Sequence, residues 1–77
     1  DVTNAIKHYE MAIEKDSLLL PVYSNLATSY SLNNNFEKAS KTLDTWIGLD
    51  TENSRPHYLK ALLNFENKND EIAVTEL

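Results

Sequence analysis

The chain has 77 residues, of which 42% are apolar and 25% charged, a composition typical of one soluble globular domain or of part of one. The net charge of −5 disfavours binding to nucleic acid or to an anionic membrane surface, because both require basic side chains. The absence of cysteine excludes disulfides and thiolate chemistry, and a single glycine disfavours β-hairpins and phosphate-binding loops.

No apolar run approaches the length of a membrane span, and no signal-peptide core is present. The cytoplasm is therefore the default location. The chain begins with Asp1 and ends at Leu77 within a helical pattern, so we interpret it as a piece of a longer protein.

Two helices are predicted before residue 33. Apolar residues step by three and four from Val2, which predicts an amphipathic helix to about Lys15. Pro21 suits the first turn of the next helix, where its missing N–H is tolerated. The apolar stripe of this second helix consists of Val22, Tyr23, Leu26, Ala27 and Tyr30.

Three further helices follow, each after a polar break. Residues 33–35 are three asparagines and predict a turn, because asparagine accepts left-handed backbone and caps helices. Ser54 is the expected N-cap of the fourth helix, and a break at 67–69 separates a fifth helix from residue 72 onward. The third stripe consists of Phe36, Ala39, Leu43, Trp46 and Ile47, and the fourth of Tyr58, Leu59, Leu62, Leu63 and Phe65.

The helical segments recur along the chain with one fixed separation, which we call the repeat period. Sets of residues with this separation are Ala5, Ala39 and Ala73; Tyr9, Leu43 and Leu77; Ile13 and Ile47; Asp16 and Asp50; and Ala27 and Ala61. A fixed period near 34 indicates a helical solenoid. The short turns make neighbouring helices antiparallel.

The middle unit resembles the tetratricopeptide repeat. The residues that carry the resemblance are Tyr23-Ser-Asn-Leu26-Ala27-Thr-Ser-Tyr30, then Phe36, Ala39 and Leu49-Asp50. The resemblance implies that Ala27 and Ala39 allow close approach of two helices. It implies an all-α solenoid of about five helices in the order B, A-B, A-B. Residues 1–19 would be helix B of a partial repeat, 20–53 a full repeat, and 54–77 a degenerate, truncated repeat.

Three departures from the repeat pattern concern the later helices. Trp46 replaces a small residue, and we expect its indole to fill space that smaller residues of the third repeat leave open. Lys60 and Asn64 stand where Leu and Tyr are expected, and Asp70 replaces an aromatic residue. A one-residue register shift would instead place Tyr58, Leu62 and Phe65 on the packing face, and the sequence leaves both registers open.

No pattern in the sequence indicates catalysis, a metal site or a cofactor. His8 and His57 have no companion ligands at metal-binding spacing, and no Gly-x-Ser-x-Gly sequence is present. Glu10 and Glu14 form a like-charged pair that is typical of a solvated helix face. We therefore predict a protein that is not an enzyme.

The resemblance implies a groove, lined by the A helices, that binds an extended peptide or a helix of a partner protein. The candidate peptide-binding residues are Asn25, Thr28 and Leu32 from the second helix and Arg55, Tyr58, Leu59, Leu62 and Phe65 from the fourth. An alternative is a spacer inside a longer solenoid that is packed on both sides by further repeats and binds no ligand. In that case the apolar ridge of the fourth helix packs against the next repeat or is buried by the shifted register. Such a fragment would self-associate through open helix ends, at the stripe from Val2 to Ile13 and at 72–77.

A second alternative is a segment of a co-chaperone. One subfamily of tetratricopeptide proteins binds the acidic tail of heat-shock chaperones through a carboxylate clamp. Asn25 and Arg55 match clamp positions by type, and Lys60 could replace a second basic residue if the helix shifts. The net charge of −5 opposes an acidic ligand.

Overall fold

The computed structural model describes the backbone of residues 1–76 and the side chains of residues 1–68. Within that part of the chain all regular structure is helical: α1 (Val2–Lys15), α2 (Leu20–Leu32), α3 (Phe36–Leu49) and α4 (Arg55–Glu76). The all-α prediction is confirmed. Among these residues, no helix combines the length and apolar content needed to cross a membrane.

The predicted break at 67–69 is wrong, because α4 continues through it to Glu76. The segment is polar but contains neither proline nor glycine, so a helix can pass through it at small cost. Residues 1–76 therefore form four helices instead of five. The repeat matches of Ala73 and Leu77 and the departure at Asp70 lie outside the described side chains.

α1 and α3 have the same length and begin and end one repeat period apart. Each has 14 residues and begins after a side chain that accepts a hydrogen bond from a backbone N–H of the first turn, at 3.0 Å for Asp1 and 3.3 Å for Asn35. Each ends at an aspartate, Asp16 or Asp50, whose N–H donates to the carbonyl four residues earlier. The sequence period is therefore present in the helix ends.

The turn between α2 and α3 depends on asparagine. Asn34 has a φ of 59°, in the left-handed region that asparagine accepts more readily than most residues. This conformation lets the N–H of Asn35 donate to the carbonyl of Tyr30 at 2.8 Å. The predicted turn at 33–35 is confirmed, and it makes α3 return along α2.

The start of α4 is capped by a different side chain from the one expected. Ser54 precedes the helix, and its carbonyl accepts from the N–H of Tyr58 at 3.0 Å. The side-chain hydrogen bond to the first residue comes from Asn53, whose Oδ1 accepts from the N–H of Arg55 at 2.9 Å. Pro56 is fully buried in the first turn, where a missing N–H is tolerated.

The core lies mainly between α2 and α3. Ala27 and Ala39 are both buried, as expected for residues that let two helices approach closely. The other buried apolar residues are Ile6, Tyr23, Leu26, Tyr30, Leu43, Trp46 and Leu63. Each helix packs principally against the next along the chain, and the Cα atoms span 43 × 30 × 13 Å. The result is a flat, elongated set of helices.

The stripe of α1 is not open to solvent as the spacer alternative expects. Ile6 is buried, and Val2, Tyr9 and Ile13 pack against the same core. The stripe finds its partner in α2, which is the next helix along the chain. The large apolar side chain that α1 leaves exposed is Met11.

The packing face of α4 uses a register that neither expected alternative describes. Pro56 and Leu63 are buried, and Leu59 and Lys60 are half-buried, so the inward positions step by three, one and three. The buried apolar positions of α2, which are Tyr23, Leu26, Ala27 and Tyr30, have the same steps. Each inward position of α4 follows its counterpart in α2 by one residue less than the repeat period. Tyr58, Leu62 and Phe65 are exposed, so the register that places them on the packing face is wrong.

Candidate functional site

A cavity of about 180 Å³ opens between α2 and α4, above α3. We call it the first cavity. Its lining residues are Ala27, Thr28, Ser31 and Leu32 from α2, Leu43 from α3, and Leu59, Leu62, Leu63 and Glu66 from α4. Four of the predicted binding residues, Thr28, Leu32, Leu59 and Leu62, are therefore brought together here.

The first cavity has a buried floor and an exposed rim. Leu43 and Leu63 are buried and form the floor, while Leu32 is 69% exposed and Leu62 is 41% exposed. Leucine side chains on both sides leave an apolar opening that a partner's apolar side chain can fill. Leu59 is half-buried against the core, so it supplies a wall of the cavity and not an exposed anchor.

Beside the first cavity, Tyr58, Leu62 and Phe65 follow one face of α4 at the spacing i, i+4 and i+7. We call these three residues the α4 ridge. Tyr58 is 67% exposed and Phe65 is 64% exposed. Neither lines the first cavity, but Leu62 belongs to both features. The ridge therefore extends the apolar surface of the cavity along α4.

One polar contact, which sequence reasoning missed, joins the two helices at the end of the first cavity. The Oγ of Ser31 on α2 donates to Oε2 of Glu66 on α4 at 3.0 Å. Glu66 lies four residues after Leu62 and seven after Leu59, so it continues the cavity face of the helix. That spacing is the signal that could have identified it.

Asn25 and Arg55 meet in a second cavity of about 380 Å³, near the start of both α2 and α4. The remaining lining residues are Leu20, Pro21, Ser24, Trp46, Asp50 and Asn53. Asn25 and Arg55 are both exposed residues. The predicted binding residues are thus divided between two cavities and the α4 ridge.

The carboxylate of Asp50 also lines the second cavity. Its Oδ2 accepts hydrogen bonds from Nδ2 of Asn53 at 2.8 Å and from Nε1 of Trp46 at 3.4 Å. Both donors are uncharged groups, so neither offsets the formal charge of the carboxylate. An anionic ligand at Arg55 would therefore meet a fixed negative charge in the same cavity.

Lys60 does not point into a groove. Its Nζ forms an ion pair with Asp44 of α3, and its stem is half-buried against the core. The suggestion that Lys60 replaces a second basic clamp residue is therefore wrong, because the inward register of α4 directs this side chain to α3.

The two histidines, His8 and His57, are both exposed and lie on different helices, α1 and α4. Within the part of the chain that the structure describes, no group of three His, Asp or Glu side chains is arranged to hold a metal ion.

No protein-family model, curated protein or solved structure matches this chain. The helical fold, the two cavities and the α4 ridge are thus the features from which a function can be argued.

Proposed function

We propose that the chain is a non-catalytic protein-interaction module of stacked, tetratricopeptide-like helix pairs. In this proposal the first cavity and the α4 ridge bind a peptide or a helix of a partner protein. The observation that carries the proposal is the exposure of Tyr58, Leu62 and Phe65 beside an apolar cavity. The matching ends of α1 and α3, one repeat period apart, support the stacked arrangement.

The exposed apolar residues favour binding over a purely structural role. Large apolar side chains are exposed singly on most proteins, but a contiguous patch of them marks an interaction surface. Aromatic residues such as Tyr58 and Phe65 are among those that contribute most to binding energy. The opposite side of the first cavity offers the hydroxyls of Thr28 and Ser31 as hydrogen-bond partners for a peptide.

The second candidate is a site for a carboxylate, as in the co-chaperone alternative. It is favoured by one observation, that Asn25 and Arg55 line the same cavity. Asp50 in that cavity and the pairing of Lys60 with Asp44 oppose it. We therefore rank the binding of an acidic tail as less well supported than the binding of a peptide or helix at the first cavity and the α4 ridge.

The first experiment is selection of a displayed library of random dodecapeptides on the 77-residue chain, followed by calorimetric titration of the enriched peptides. We expect Leu62→Glu to weaken binding at least tenfold, because it places a charge at the point shared by the first cavity and the α4 ridge. Leu62 is partly exposed, so the variant is expected to retain the helical circular dichroism of the parent.

Leu18→Glu is the matched control. Leu18 is exposed in the turn between α1 and α2 and lines neither cavity, so the same chemical change there should leave binding intact. If the parent chain enriches no peptide beyond the background of Leu62→Glu, the groove does not bind peptides. That result would favour the spacer alternative.

A further inference from the structure

We infer that the first cavity selects partner segments that carry a positively charged side chain next to an apolar anchor, and that Glu66 recognises this charge. The inference rests on the proposed function, because it specifies the partner of the same groove. It follows from three features of the cavity: the place of Glu66 in its lining, the lack of another charged residue in the lining that residues 1–68 form, and the hydrogen bond that holds one carboxylate oxygen.

Among the described side chains, residues 1–68, Glu66 is the one charged residue that lines the first cavity. The whole of α2, with the sequence LPVYSNLATSYSL, contributes no charged side chain. Arg55 lies eleven residues earlier on α4, about 16 Å along the helix axis at 1.5 Å per residue. This exceeds the screening length of about 8 Å at physiological ionic strength, so Arg55 does not neutralise Glu66.

The other described cations near this end of the molecule are engaged elsewhere or point away. Lys60 pairs with Asp44, and Nζ of Lys38 lies 5.9 Å from the centre of the Tyr30 ring. Lys68 is two positions after Glu66, which places it on roughly the opposite side of α4. Within the described residues, no ion pair forms with Glu66.

The hydrogen bond from Ser31 holds the carboxylate of Glu66 against α2, and both residues line the cavity. It engages one of the two oxygens of Glu66 and leaves the other able to accept a hydrogen bond from a ligand. Leu62 is four residues before Glu66, so an apolar pocket and a carboxylate lie within one helical turn. A partner segment with a leucine or similar apolar side chain next to a Lys or Arg can fill the pocket and pair with the carboxylate at the same time.

The net charge of the whole chain also favours basic partner segments. A net charge of −5 attracts basic segments and repels acidic ones before contact, which raises the association rate for basic partners. Once bound, the ammonium or guanidinium group would form a charge-assisted hydrogen bond with Glu66. The partner is thus a basic-apolar segment.

The test compares peptides that the displayed dodecapeptide library yields on the parent chain, on Glu66→Gln and on Glu66→Lys. On the parent chain we expect enrichment of Lys or Arg at a fixed distance from an apolar residue. For such a peptide, Glu66→Gln should weaken binding roughly fivefold, as for a partly exposed ion pair. Glu66→Lys should weaken it further and should enrich acidic residues at the same position.

Glu14→Gln is the matched control, because Glu14 is exposed on α1 and the change in net charge is the same. Equal losses in Glu14→Gln and Glu66→Gln would show that net charge alone acts, and would overturn the role of Glu66. Enrichment of apolar residues without a basic preference, or of acidic residues on the parent chain, would overturn the inference while the peptide-binding groove stands. If the parent chain enriches no peptide, or enriches only peptides that Leu62→Glu also enriches, the proposed function is overturned as well.

Discussion

Tyr30 connects α2 to α1 through its hydroxyl, which donates to Oε2 of Glu10 at 2.9 Å. Burial of the phenol, together with this hydrogen bond and the negative charge of Glu10, raises the pKa of Tyr30 from 10.0 to about 12. The folded state therefore holds the phenolic proton more strongly than the unfolded state does. The stability gained from the neutral phenol is fully present below pH 10 and is lost as the pH rises through about 12.

The prediction for Tyr30 concerns the ultraviolet absorbance titration of the phenols. We expect the parent chain to titrate one phenol with a pKa near 12, and Tyr30→Phe to lack it. Glu10→Gln should lower that pKa, because it removes the negative charge beside the hydroxyl. Tyr58→Phe, on the exposed face of α4, should leave the high pKa in place. An unchanged highest pKa in Tyr30→Phe would contradict the assignment.

At the scale of elements, Trp46 lies where α3 meets the start of α2 and the segment before α4. It is 4% exposed and lines the second cavity with Leu20, Pro21 and Arg55. This burial agrees with the expectation that the indole fills space that smaller residues later in the chain leave open. Ala12 stands one repeat period earlier in the sequence, so two positions that match by this period hold side chains of very different volume.

We expect Trp46→Ala to lower the free energy of unfolding by about 3–5 kcal/mol, because it removes a buried indole and leaves a cavity. Trp46→Phe keeps most of the apolar volume and should cost roughly half as much or less. Chemical denaturation followed by far-ultraviolet circular dichroism measures both losses without relying on indole fluorescence. A loss below about 1 kcal/mol for Trp46→Ala would show that the surrounding helices close the gap.

The ends of α1, α2 and α3 could be predicted because local chemistry decides them: Pro21 at a helix start, three asparagines in a turn, and Asp16 and Asp50 at helix ends. The register of α4 could not be predicted from local sequence, because it depends on contacts with α3. Lys60 buries its stem while its ammonium reaches Asp44, sixteen residues earlier in the chain. A prediction from the apolar and polar pattern of the sequence assumes that such a lysine is exposed to solvent. It therefore assigns the inward positions of α4 incorrectly.

The candidate site was predictable to a similar extent. Thr28, Leu32 and Leu62 line the first cavity, as the resemblance to the tetratricopeptide repeat leads one to expect of residues on the uncovered side of α2 and α4. Glu66 was missed because a glutamate within a polar stretch of helix is ordinary in sequence. Its significance depends on Ser31 of α2, which is 35 positions away and contacts it only in the folded chain.

The molecule as a whole is thin, at 13 Å across its Cα atoms, and its helices pack in chain order. α1 contributes one buried residue, Ile6, whereas α2 contributes Tyr23, Leu26, Ala27, Ser29 and Tyr30. In a stacked helical array, stability is the sum of unit and neighbour terms, so an end helix can open while the middle stays folded. A closed bundle would instead lose all its helices together.

Amide hydrogen exchange distinguishes these two kinds of cooperativity. We expect α2 and α3 to be the most protected helices and α1 to exchange faster, because α1 packs mainly on one neighbour. Ile6→Ala should cost about 2 kcal/mol and speed exchange in α1 roughly thirtyfold, with little change in α3. Leu43→Ala, at the buried centre of α3, should speed exchange in every helix that packs on it. If Ile6→Ala accelerates α1, α2 and α3 equally, the chain unfolds as one cooperative bundle, and the stacked-repeat architecture proposed for it is wrong.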